Sequence, residues 1–287
     1  MQIYLQVLQL FCTFAGCLFA NVIEMSFRNL DGSLLAFAQD ALIHFDDATH
    51  TYRVDGIGVL TPVSNVVKKF FKDFDAEYWS LRKADGDKRA AALLREQWQC
   101  AGAFASQAGT YLHKLIEDYL NGQPEGVKRY TVSYDGQLMH DSKEVDVSRE
   151  WGYFLNFDRN RSYHPFRTEW RIFDPESGIA GTCDLICRCE DGEYELFDWK
   201  RSNKVNPDEE NKWDSGLHGL EHLPDTPYAH YCLQQNLYRH IIEKNYGLRI
   251  KQMHLVVLHP ELPDYRVVVV PRMEGEVACM LKNFKQL

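Results

Sequence analysis

Residues 179–200 read IAGTCDLICRCEDGEYELFDWK. Two apolar runs, Ile179 to Cys189 and Tyr194 to Lys200, flank Glu190-Asp191-Gly192, a turn composition that predicts consecutive strands. Asp184 falls in the middle of the first run, and Asp198 and Lys200 fall at the end of the second. Charged groups on a buried strand are costly unless they are paired or hold a metal. Alternation places Asp198 and Lys200 on one face and Phe197 and Trp199 on the other. A hairpin through 190–192 then sets Asp184 across from that pair, so two acids and one amine converge. Two carboxylates with a main-chain carbonyl can hold Mg²⁺ or Mn²⁺ and leave places for water and a phosphate oxygen. On spacing alone, a buried Asp–Lys salt bridge beside an unrelated aspartate accounts for the same residues.

Outward from this pair the pattern stays α/β. Arg167 to Phe173 predicts a strand before it, joined by Pro175-Glu176-Ser177-Gly178. Residues 203–227 read as a polar loop, Tyr228 to Tyr246 as an amphipathic helix closed by Gly247, Gln252 to His259 and Tyr265 to Val270 as strands, and a last helix starts at Glu274. Upstream, His44 to Val59 predicts a short hairpin. Thr61-Pro62 opens a helix with Val63, Val66, Val67, Phe70 and Phe71 inward and Lys68, Lys69 and Lys72 outward. Asp87 to Leu120 is helical, with a break expected near Ala101-Gly102 or Gly109. Its last piece has Leu112, Leu115, Ile116, Tyr119 and Leu120 as the expected buried stripe and stops at Asn121-Gly122. His113 and Glu117 share one side of that helix. Residues 122–144 read as a polar surface excursion and Glu150 to Asn160 as another helix. The sum is an α/β layered fold with a mixed sheet, the helical first half (about 60–160) walling the strands of the second (about 165–272).

The chain has 287 residues with 41 acidic and 32 basic side chains, a formal charge of -9. That argues against a general basic coat for nucleic acid, while leaving room for an enzyme that gathers carboxylates around a metal. The eight cysteines form no Cys-x-x-Cys pair, and they read as small buried residues; Cys183, Cys187 and Cys189 share one strand and, by alternation, one face. Residues 3–23 are largely apolar but have no basic n-region, and Gln2, Gln6 and Gln9 interrupt them. The expectation is an intracellular protein whose fold starts near Met25, with 1–24 appended; export or lipid anchoring through Cys17 is the rival.

Asp184 followed by Asp198-Trp199-Lys200 resembles the PD-(D/E)XK phosphodiesterase superfamily, and more narrowly its RecB-like exonuclease branch. Gly109 through His113 and Glu117 to Gly122 is similar to that branch's opening Gly-x-x-x-His-x-x-x-Glu helix. Glu169 stands where the preceding strand often carries an acid. Asp198 to Lys204 (DWKRSNK) is similar to Asp-Trp-Lys-Thr-Ser-x-Lys, with Arg201 in place of the small Thr. Gln234 and Tyr238 match a Gln-x-x-x-Tyr helix. The resemblance spans about residues 44–260. It implies a restriction-endonuclease-like three-layer core, a central mixed sheet flanked by helices, and metal-dependent DNA cleavage, exonucleolytic and favouring single-stranded ends. Asp184, Asp198 and Lys200 are then catalytic, and His113, Asp184 and Asp198 hold Mg²⁺ or Mn²⁺, the imidazole tilting preference to Mn²⁺. Gln234, Tyr238, Arg201 and Lys204 meet the substrate, with Lys68 and Lys69 as further phosphate contacts, and Glu117 and Glu169 support the ligands. The cysteines lack the C-terminal clustering of an iron–sulfur site, so none is expected. With no Gly-x-x-x-x-Gly-Lys-Ser/Thr loop, a helicase or recombination motor would be a separate partner. The competing reading is a catalytically silent nucleic-acid-binding module on the same fold.

Overall fold

The computed structural model of the protein describes residues 29–33, 35–161, 164–209, 211 and 214–287. The apolar segment 1–24, the start near Met25, Cys12 and Cys17 lie outside the described residues. Three short antiparallel strands come first, β1 (Ile43–Asp46), β2 (Thr51–Val54) and β3 (Gly58–Pro62), followed by helix α1 (Val63–Lys68). Helices α2 (Ala76–Lys83) and α3 (Lys88–Leu120) lead to a separate hairpin, β4 (Arg129–Asp135) and β5 (His140–Asp146). Then come α4 (Ser148–Asn160), β6 (His164–Asp174), β7 (Ile179–Arg188), β8 (Tyr194–Lys200), α5 (Pro227–Asn245), β9 (Ile250–Val257), β10 (Arg266–Val270) and α6 (Glu274–Asn283).

Eight strands make one mixed sheet in the order β1-β2-β3-β7-β8-β9-β10, with β6 paired to the other edge of β7. The β3–β7 and β8–β9 pairs are parallel and the rest antiparallel. Helices cover both faces, as the α/β reading predicts. A sheet covered on both sides needs apolar residues pointing both ways, which is why β9 reads as a near-continuous apolar run. Met253, Leu255 and Val257 join one cluster with Val66, Phe70, Leu237, Ile241 and Met280 of α1, α5, α6 and their flanks. Val256 and Leu258 join the other, with Phe197, Trp199, Leu112, Ile116, Trp151 and Phe154 of β8, α3 and α4. Trp199, Phe154 and Phe70 are fully buried, each contributing about 1.5–3 kcal/mol relative to exposure.

Helix starts follow ordinary chemistry. Asp75 caps α2 by accepting from the Tyr78 N–H, Asp87 caps α3 through the Arg89 and Ala90 N–H groups, and Thr226 caps α5 with Pro227 in its first turn.

Several expectations need correction. Helix α3 runs 33 residues without the break expected near Gly102 or Gly109. A helical glycine costs only about 1 kcal/mol against alanine, and the amphipathic stripe from Cys100 through Leu112 to Ile116 continues across both positions. Tyr119 is exposed rather than buried; its hydroxyl donates to Asp158 at 3.1 Å. The 44–59 hairpin is two strands of a three-stranded meander that ends in β3. The excursion at 122–144 contains the β4–β5 hairpin, held to α3 through Val132 and Val145. Finally, Cys183 and Cys187 lie in the clusters on opposite faces of the sheet. The irregularity beside them is on the partner strand β6, whose register shifts between Pro165 and Arg167 and whose Glu169 has a positive φ.

Candidate active site

Strand β7 is paired along its whole length with β6 on one edge, but on the other edge it has two partial neighbours. β3 pairs only Ile179 and Ala180, and β8 pairs Leu185 to Arg188. From Gly181 to Asp184 that edge has no strand partner among the described residues, so the sheet forks between β7 and β8. Unpaired backbone groups in a buried fork must find side chains. The Trp199 N–H, which would otherwise continue the β7–β8 ladder, donates instead to Asp184 Oδ2 at 2.8 Å. Thr182 Oγ1 meets the Tyr52 hydroxyl at 2.9 Å. Gly181 lets α5 close on the fork: a Cβ there would sit 2.4 Å from Tyr238 Cε1.

Opposite Asp184 on β6, between the pairs Thr168↔Leu185 and Trp170↔Cys183, stands Glu169. Its φ is +46°, in the left-handed region, where a non-glycine residue is held at a cost of about 1–3 kcal/mol. The Thr168 hydroxyl braces the kink by donating to the Asp184 carbonyl at 2.8 Å. From the α3 side, His113 Nε2 lies 3.0 Å from the Trp199 carbonyl, and Nδ1 lies 3.5 Å from Asp184 Oδ2 and 3.8 Å from Glu169 Oε1. One ligand atom from each of His113, Glu169 and Asp184 falls within 4.8 Å of the others. Two carboxylate oxygens and an imidazole nitrogen are a donor set that suits a divalent ion of the Mg²⁺–Mn²⁺ kind.

Asp198 and Lys200 project to the α5 side of the fork. Asp198 Oδ2 pairs with the Lys200 ammonium, and Oδ1 accepts from Gln235 Nε2 at 2.9 Å. The ammonium also lies 4.5 Å from the centre of the Tyr231 ring. The site therefore gathers three carboxylates with one lysine and one histidine; Asp184 and Asp198 are buried, and Glu169, His113 and Lys200 are half-buried. Burial pushes the Asp198 carboxyl up to about 6, the Lys200 charge opposing and the Asp184 charge adding to the rise. Burial likewise raises Asp184 against the pull of His113. For His113, burial works against the charged ring, but Asp184 and Glu169 outweigh it and hold the imidazole at about 9. Lys200 is similar: desolvation lowers it, and Asp198 and Asp184 more than offset that. At neutral pH the lysine is an ammonium and donates rather than accepts.

The sequence-predicted residues thus divide. Asp184, Asp198, Lys200 and His113 come together at the fork, joined by Glu169 as a potential direct ligand rather than a support. Glu169, not Asp198, completes the three-residue donor cluster, since Asp198 is committed to Lys200 and Gln235. Glu117, one turn beyond His113, is ion-paired with Lys114 at 3.4 Å. Gln234 Nε2 donates to the Tyr238 hydroxyl at 2.9 Å, and this pair borders the fork at Gly181. The Arg201 guanidinium donates to the fully buried Glu150 at 2.8 Å, so it is held inside the fold in this structure. Lys204 and Lys68 are exposed, and Lys69 donates to the Phe284 carbonyl at 3.0 Å. Gln235 and Tyr231 were not anticipated: both lie on the helical face of α5 next to Gln234 and Tyr238, and only the register of that helix on the sheet selects them.

No protein-family model matches the chain, and no curated protein matches it. Among solved structures, the crystal structure of SSO0001 matches at 14% identity and TM-score 0.32, covering 78% of this chain and 74% of that one. That of an alkaline exonuclease from Laribacter hongkongensis matches at 13% identity and TM-score 0.32, covering 48% of this chain and 64% of the exonuclease.

Proposed function

We propose that the protein is a divalent-metal-dependent nuclease that hydrolyses DNA phosphodiester bonds, working from single-stranded ends as an exonuclease. The observation that carries this reading is the fork itself: a strained acid, a second acid used as a backbone acceptor, and a histidine from a distant helix meet beside an acid–lysine pair. A plain buried salt bridge would need neither Glu169 at positive φ nor His113 between two carboxylates. The exonuclease and single-strand preferences come from the RecB-like motif resemblance.

His113, Glu169 and Asp184 would hold the ion, with Asp198 the next acid beside them. Bound there, a divalent ion supplies water activation and neutralises charge developing on the phosphate. The remaining work falls to the chain's own groups. Lys200, fixed by Asp198 and charged at neutral pH, donates hydrogen bonds to the attacking water or to a phosphate oxygen. Gln235 holds Asp198 so that the lysine keeps its place. Gln234 and Tyr238 wall the open edge of β7 and position the strand entering it. His113, whose charged form the two acids favour, would serve as a ligand through its neutral ring.

The test uses oligonucleotides labelled at the 5′ or the 3′ end, single- and double-stranded, with EDTA, Mg²⁺ or Mn²⁺. Cleavage should vanish in EDTA and return with Mn²⁺ at least as well as with Mg²⁺, one label being released first from the single strand. Lys200→Ala should lose about a hundredfold or more in rate while its circular dichroism matches wild type. Cleavage by Lys200→Ala at the wild-type rate would remove the lysine from the mechanism, and metal-independent cleavage would remove the site.

A further inference from the structure

The stretch from the end of α1 into α3 exposes aromatic side chains that no other described residue covers. Phe74 is 67% exposed, Tyr78 52% and Trp79 40%. They form two ring pairs: Phe74 with the half-buried Trp98, ring centres 5.8 Å apart, and Tyr78 with Trp79, ring centres 5.2 Å apart. Cations interleave with the rings. The Arg82 guanidinium lies 5.4 Å from the Trp79 ring centre, and the Lys83 ammonium lies 5.5 Å from that of Trp98.

The charge on this arm is available. Among the described residues, Lys72, Arg82, Lys83, Lys88 and Arg89 form no ion pair within 4.0 Å, although all five are exposed. Two of the arm's acids, Asp75 and Asp87, are turned to backbone N–H groups as helix caps. Over residues 72–89 these five bases balance five acids, Asp73, Asp75, Glu77, Asp85 and Asp87, so the arm is neutral in a chain of net charge -9. What it offers a strand that carries both phosphates and planar bases is cations set directly beside exposed rings.

We infer that this arm, formed by Phe74, Tyr78, Trp79, Trp98, Arg82 and Lys83, is a binding platform for single-stranded nucleic acid, on which unpaired bases stack while the cations meet the phosphates. Bases locked in a duplex cannot reach ring faces, so the platform selects the unpaired strand. The inference rests on the nuclease reading and gives it a route for substrate. Trp98 and His113 are on the same helix fifteen residues apart, about 22 Å along the axis and about 60° around it. A strand laid on the arm therefore runs toward the fork along one side of α3.

The experiment measures fluorescence anisotropy of a labelled oligo-dT strand with the full-length protein in EDTA, where no cleavage occurs. Phe74→Ala/Trp79→Ala should weaken binding about tenfold or more. Arg82→Ala/Lys83→Ala should weaken it and flatten the slope of log Kd against log salt by about 1.4. Leu138→Ala, which removes an equally exposed apolar side chain from the β4–β5 turn, should bind as wild type. Wild-type binding by both arm variants, or no binding by the wild type, overturns the inference. So does a sedimentation shift from dimer to monomer in Phe74→Ala/Trp79→Ala without loss of oligonucleotide binding, which would make the patch a contact between copies of this chain. Because binding is read without metal, these outcomes are separate from the cleavage test: normal cleavage with normal binding by the arm variants sinks the platform alone, and oligonucleotide binding by a protein that never cleaves sinks the nuclease reading alone.

Discussion

At the scale of single residues, the site is defined by one strained backbone and one histidine set between two carboxylates. Glu169 is held at φ +46° only because the β6–β7 ladder closes on both sides of it. If its carboxylate is there to bind an ion, glycine should relax the backbone and lose the ligand together. Glu169→Gly is expected to keep stability level or raise it by up to about 1 kcal/mol in urea denaturation, while Mn²⁺ affinity drops. A loss of stability with unchanged Mn²⁺ affinity would make Glu169 structural. His113→Ala should lower Mn²⁺ affinity at least about tenfold without unfolding the chain, measured by calorimetric titration. Unaltered affinity would return His113 to packing. At this scale the sequence was informative where a charge interrupted an apolar run, as at Asp184, Asp198 and Lys200. It was uninformative for Gln235, because a polar residue on an amphipathic helix carries no mark of what it faces.

Between elements, the fork depends on α5 lying close to β7 and on the β6–β7 hairpin being tied to α5. Tyr238 occupies the space that a side chain at 181 would need. Gly181→Ala should therefore cost about 1–3 kcal/mol in denaturant midpoint analysis; an unchanged midpoint would show that the helix yields freely. Asp174, fully buried at the end of β6, accepts from Ser177 Oγ at 2.5 Å, the Glu176 N–H at 3.1 Å and Lys244 Nζ of α5 at 2.9 Å. Burial opposes its charge, yet the Ser177 and Lys244 bonds prevail and hold its carboxyl below the ordinary range. A carboxyl whose pKa is lower in the folded chain stabilises it above the unfolded pKa, and that contribution fades as pH falls through the folded value. Asp174→Asn should thus be less stable than wild type by about 1–2 kcal/mol at pH 7. The gap should close below about pH 4; a gap that stays constant down to pH 3 would refute the ion pair. Long helix α3 and the β4–β5 hairpin were hard to read because packing within one apolar cluster overrides their local composition. Glycines at 102 and 109 and a polar composition at 129–146 describe local preference, whereas burial against α4 decides the outcome.

For the whole molecule, the architecture was legible because the central strands β7, β8 and β9 bury apolar residues on both faces. Such strands demand helices above and below, and the chain supplies α1, α5 and α6 on one face and α3 and α4 on the other. The fork was not legible, since it arises from β3 and β8 sharing one edge of β7 at different heights. No helix among the described residues is long and apolar enough to cross a membrane. The most direct test of the fork as a metal site is an anomalous difference map from a crystal soaked in Mn²⁺, collected near the manganese edge. One peak should appear between His113, Glu169 and Asp184. A clean map at that position, or a peak held by other residues, would contradict the assignment.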